Sequence, residues 1–174
     1  MKNALTSILL LLNFIATAQV QFPLYGDKES FDIKFEIEKT DKEEYFLVAS
    51  IELSEDSYVV SPFSKDDTYG HFIISIAENK YLTKGTELLE IPPSTEEYDP
   101  ILEEPVHFVR VNTTYKQKLK LNSTNDFKVS GLLEFLLEPA CIPYDVEFLI
   151  SSSSGVLEVE KVRTFISKEY KVNK

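Results

Sequence analysis

The chain has 174 residues, of which 43% are hydrophobic and 27% charged, and its net charge is -11. That composition belongs to a globular chain and not to a disordered one, and the acidity excludes nucleic acid and anionic membrane surfaces, both of which select basic patches. One cysteine cannot close an intramolecular disulfide, so packing has to hold the fold together.

The first residues read as a secretory signal peptide. Lys2 precedes an apolar run from Leu5 to Ile15, and the small residues Ala16-Thr17-Ala18 follow as a cleavage site. The run is too short for a membrane span, which needs ~20 residues. Cleavage after Ala18 leaves Gln19 as the new N-terminus, with residues 19–174 as one domain carrying a short C-terminal tail. No cysteine follows the cleavage site to take a lipid, so the expected product is exported, periplasmic or extracellular, with no membrane span after cleavage.

Beyond that point the dominant period is two. Phe31, Ile33, Phe35 and Ile37 alternate with Asp32, Lys34, Glu36 and Glu38, which predicts a strand with one face on a core and the other in water. Tyr45 to Leu53 is more apolar, as a central strand should be, and Asp41-Lys42 marks a hairpin turn before it. Further strands are predicted at 57–60, 71–77, 88–91, 106–112, 114–121, 127–137, 145–150 and 156–165. Pro92-Pro93-Ser94 and the acidic stretch from Glu96 to Pro105 read as the longest irregular connection, because proline blocks strand pairing. No long amphipathic helix is present in the pattern. About eight short strands at such spacing imply an all-β, immunoglobulin-like antiparallel β-sandwich, although the missing tryptophan and missing cysteine pair exclude its antibody version.

Few residues suggest chemistry. His71 and His107 fall in separate strands without ligand spacing, so no metal is implied. The acids Asp66-Asp67 and Glu96-Glu97-Tyr98-Asp99 lack a calcium-loop pattern and read as solvated loop charge. No nucleophile elbow or phosphate-binding glycine loop occurs, and no cofactor is implied. The sequons at Asn112 and Asn122 matter only in a eukaryotic secretory pathway. Lys116, Lys118 and Lys120 share one face of a predicted strand while Tyr115, Leu119 and Leu121 take the other. Two readings of that stripe stand side by side: lysines guarding an exposed strand against edge pairing, or a docking surface for an acidic partner.

The segment from Gly131 to Phe148 carries a resemblance. A strand opening with Gly131 runs through Phe135 to Cys141, then Pro143, then an alternating strand to Phe148, and upstream stands Asp56-Ser57-Tyr58-Val59-Val60-Ser61-Pro62. The arrangement resembles the amino-terminal, immunoglobulin-like domain of the periplasmic thiol:disulfide interchange protein DsbD, over about residues 31–150. That family passes reducing equivalents through a cysteine pair by thiolate attack, which implies a redox role and a thioredoxin-fold partner. Here the first cysteine is missing: its place falls near Glu138. Cys141 alone cannot close the disulfide. A free cysteine is commonly a small buried hydrophobe, so Cys141 is expected to be shielded by the strands carrying Phe135 and Phe148, and Glu138 and Asp145 would raise its pKa if they lie close in space. Two functions follow: an exported non-catalytic binding or accessory domain, or a thiol-disulfide exchange protein acting through Cys141.

Overall fold

The computed structural model describes residues 30–167, except 43, 55, 66–69, 71 and 101. The signal segment, Asp66, Asp67 and His71 lie outside the described residues. Among the described residues there are eleven strands, where about eight were expected: β1 Phe31–Lys39, β2 Tyr45–Leu53, β3 Val59–Val60, β4 Ile73–Ile76, β5 Leu82–Ile91, β6 Thr95–Asp99, β7 Glu104–Val109, β8 Thr113–Leu121, β9 Phe127–Leu137, β10 Ile142–Ser153 and β11 Val156–Ile166. Two four-stranded antiparallel sheets, β1-β2-β8-β5 and β11-β10-β9-β4, form the sandwich, and a third sheet of order β3-β7-β6 adjoins them. Among the described residues no helix is long and apolar enough to cross a membrane.

Alternation drives this layering. Leu47, Ala49 and Ile51 of β2, Tyr115 and Leu119 of β8, Leu133 and Phe135 of β9, and Val146, Phe148 and Ile150 of β10 turn into one buried cluster between the sheets. The Phe72 and Tyr115 rings stack there with centroids 4.1 Å apart. Phe31 and Ile33 join the cluster as expected, but Phe35 and Ile37 are only partly buried. β1 is an edge strand of its sheet, so its inner face loses cover toward Lys39.

Two other expectations are corrected. The acidic stretch after Pro93 is not irregular: Thr95–Asp99 and Glu104–Val109 pair as a hairpin, with Tyr98 opposite Pro105. β6 is an edge strand, wet on its open side, so charged residues suit it, and its turn is fixed by the Leu102 amide donating to Asp99 Oδ1 at 2.9 Å. The lysine strand β8 is not an edge but lies between β2 and β5, so its lysines guard no open edge.

β5 begins at Leu82, earlier than predicted, because a register shift between Lys84 and Leu88 breaks its period. Gln117, a fully buried amide on β8, fills that irregularity by donating from Nε2 to the carbonyls of Gly85 at 2.8 Å and Glu87 at 3.0 Å. An internal hydrogen bond of this kind contributes ~0.5–1.5 kcal/mol net. Across the open sides of the two sheets, Lys84 Nζ donates to the Ile74 carbonyl at 2.6 Å. On the opposite side Lys161 of β11 bridges to Asp32 of β1 at 3.1 Å.

Candidate functional site

Cys141 sits in the four-residue turn joining β9 to β10, between the paired residues Leu137 and Ile142. Its φ of 52° places it in the left-handed region, which a turn accepts and a strand does not. The side chain is consequently exposed, and the expectation of a cysteine shielded by the strands of Phe135 and Phe148 is overturned. Pairing ends one residue too early to carry Cys141 into the sheet.

Exposure does not make the thiol free. Sγ donates to Glu138 Oε2 at 3.2 Å, and Glu138 is only 5% exposed because its backbone closes a β-bridge with Tyr58. Both backbone bonds of that bridge form, Tyr58 N to Glu138 O at 3.1 Å and Glu138 N to Tyr58 O at 2.9 Å. The second carboxylate oxygen, Oε1, is buried without a partner. The hydrogen bond to Glu138, then burial, then the carboxylate's charge push the Cys141 thiol above its ordinary value. The sequence expectation held for Glu138; Asp145 instead faces Glu134 across β9 and β10.

An aromatic and cationic platform adjoins this turn. The Arg110 guanidinium lies 4.1 Å from the Tyr58 ring centroid and 5.0 Å from that of Phe108. It forks onto Glu97, with Nε donating to Oε1 at 2.8 Å and Nη2 to Oε2 at 3.0 Å. The bidentate bond holds Glu97 below the ordinary carboxylate range, while burial and the charge of Glu138 push the Tyr58 hydroxyl up. Neither Tyr58 nor Arg110 is marked as chemical by spacing in the sequence. The β-bridge to Glu138 brings Tyr58, with Arg110 on its ring, to the Cys141 turn.

The lysine stripe is brought together, on the solvent face of the first sheet, and two of its members are used within the chain. Lys116 pairs with Glu38, and Lys118 with Glu44 at 2.7 Å and Glu87 at 3.3 Å. These lysines stand opposite Val48 and Phe46 in register. Those two apolar residues face outward yet are buried, as expected where the aliphatic stems of the lysines lie across them. Hydrogen bonds to Glu44 and Glu87 hold Lys118 above its ordinary value. Lys120 is exposed.

His107 lies with Nε2 3.4 Å from the Glu96 carboxylate and Nδ1 3.4 Å from Ser94 Oγ. Among the described residues no three His, Cys, Asp or Glu side chains are grouped to hold a metal ion. No family model, curated protein or solved structure matches this chain.

Proposed function

We propose that the chain is an exported, non-catalytic binding or accessory module, a sandwich resembling the DsbD amino-terminal domain with half of its redox pair gone. The observation that carries this reading is the state of the one thiol. Thiol exchange proceeds through the thiolate, and cysteines that perform it have a lowered pKa beside cations or helix N-termini. Cys141 has the opposite setting, a hydrogen bond to the carboxylate of Glu138 that favours the protonated thiol. The position where the resemblance calls for the first cysteine thus holds a group that suppresses the second.

The runner-up, exchange through Cys141 alone with a thioredoxin-fold domain, draws on a single feature, the exposure of that side chain. Alkylation by iodoacetamide of the native mature protein across pH 6 to 10 separates the two. A binding module labels slowly at neutral pH with a midpoint above the ~8.5 of free cysteine, and Glu138→Gln lowers that midpoint. A midpoint below ~8.5, or a stable mixed disulfide through Cys141 with an oxidised thioredoxin-fold domain, overturns the proposal. Export is tested separately, by finding Gln19 at the N-terminus of the processed chain.

A further inference from the structure

The outward face of the second sheet combines an open apolar groove with two carboxylates, Glu134 and Asp145, that no cation among the described residues neutralises. Register sets Ile73, Glu134 and Asp145 side by side across β4, β9 and β10, with Ser75, Leu132 and Glu147 in the adjacent row. A groove of about 600 Å³ follows that second row along Leu132 and Leu149 and ends at Val162. Val162 is the residue skipped where the β10–β11 register shifts between Glu147 and Phe148. Such a bulge re-aims a side chain, and Val162 is left 54% exposed, with Ile73 at 45%.

An unmatched acidic pair marks this face. Several strand carboxylates have a cation beside them: Glu52 has Lys34, Glu38 has Lys116, Glu97 has Arg110 and, on this face, Glu147 has Arg163. Glu134 and Asp145 are direct cross-strand neighbours, and neither has an ion-pair partner among the described residues. Like charges directly opposite destabilise a sheet. Burial and the Asp145 charge hold the Glu134 carboxyl above the ordinary range, so a cation placed between the two would remove a standing repulsion.

The geometry points to this face as the docking surface for an extended segment of a partner protein, with a cationic side chain between Glu134 and Asp145 and an aliphatic one in the groove. Residues two apart on a strand share a face and are ~7 Å apart, so Glu134 and Leu132 call for a cation and an aliphatic residue at positions i and i+2 of the incoming segment. A second copy of this chain is the wrong occupant, because it carries another net charge of -11 and would set a second acidic pair against the first. An anionic lipid surface is repelled for the same reason. The inference rests on the binding-module reading and gives it a partner class.

The test uses a fluorescent peptide of three Ser-Arg-Ser-Leu repeats and a twin with Glu in place of Arg, titrated against the mature chain at physiological ionic strength. The expected result is saturable binding of the arginine peptide alone. Affinity falls at least tenfold with Glu134→Gln/Asp145→Asn and severalfold with Val162→Ser, an exposed site that folding tolerates. The charge-matched control Glu36→Gln/Asp41→Asn, on the other sheet and its turn, stays within twofold of the parent. The inference is overturned if the control loses as much as the groove variant, if the arginine peptide does not saturate, or if both peptides bind alike. Self-association in sedimentation that Val162→Ser abolishes would assign the face to a second copy instead, and co-sedimentation with phosphatidylglycerol vesicles would assign it to a membrane. Any of these leaves the Cys141 labelling midpoint untouched, so loss of the docking face and loss of the binding-module reading are told apart.

Discussion

Gly131→Ala should be among the most damaging single-methyl additions available in this fold. Gly131 lies on β9 directly opposite Phe148 on β10, and a Cβ built there meets Cε1 of the Phe148 ring at 2.8 Å, with two further ring atoms closer still. Ordinary carbon contacts settle at ~3.5–4.0 Å, so the ring has to move by an ångström or more. It has nowhere to go: Phe148 is buried, and the Phe35 ring packs against it at 4.7 Å between centroids. Overpacking costs ~1–3 kcal/mol and sometimes more, and a clash with a trapped ring puts this one at about 3 kcal/mol. Phe148→Leu alone gives up roughly two methylene equivalents, ~2 kcal/mol at ~0.8 each, but it removes the ring from above Gly131. Urea unfolding of the two single variants and the double variant closes a cycle. The double variant should be more stable than the sum of the singles predicts by at least ~1 kcal/mol. Additivity within ~0.5 kcal/mol, the behaviour of sites that do not touch, would refute the reasoning.

Three further outcomes are expected. Gln117→Leu should lower stability by ~1–3 kcal/mol in urea unfolding, because the Gly85 and Glu87 carbonyls lose their donor; an unchanged midpoint would show that the bulge does not need the amide. Glu134→Gln should raise the melting temperature at neutral pH, and the advantage should shrink on acidification. The folded-state carboxyl of Glu134 lies above its unfolded value, so the native chain regains stability as pH falls through that raised value toward ~4.5, and an advantage that grows in acid would contradict the sign. Phe31→Ala should cost ~3–5 kcal/mol, Phe35→Ala less because it is only partly buried, and Lys34→Ala little; equal costs at the two phenylalanines would refute the thinning of cover along β1.

Periodicity made most strands readable in the sequence, because a half-buried strand has to alternate. β8 follows the pattern through Lys120, and β1 follows it at its start before the cover thins at Phe35 and Ile37. β6 was missed because Thr95, Glu96, Glu97, Tyr98 and Asp99 give no apolar face to detect; an edge strand held by one neighbour and facing water needs none. The start of β5 was missed because the irregularity near Gly85 resets the period, and its remedy, Gln117, occupies a core-facing position that hydrophobic patterning reads as an exception. The exposure of Cys141 followed from a turn conformation that residue type does not announce. Tyr58, Arg110 and the Glu134–Asp145 pair depend on which strands become neighbours, and a single chain read end to end does not carry that.

The place of β8 between β2 and β5 governs the order in which the fold can assemble. The β9–β10–β11 meander is contiguous and closes through short turns. The first sheet cannot do the same, since contacts such as Ser50 with Thr114 join residues 64 apart in the chain. At ~5–20 residues per second of synthesis, the β1–β2 hairpin waits several seconds for its third strand, with Leu47, Ala49 and Ile51 still uncovered. High sequence separation slows folding and lengthens aggregation-prone exposure. Charges on an exposed strand discourage pairing with a foreign one, so replacing Lys34, Glu36 and Glu38 of β1 with threonine or valine should reduce the yield of folded protein far more than its final stability.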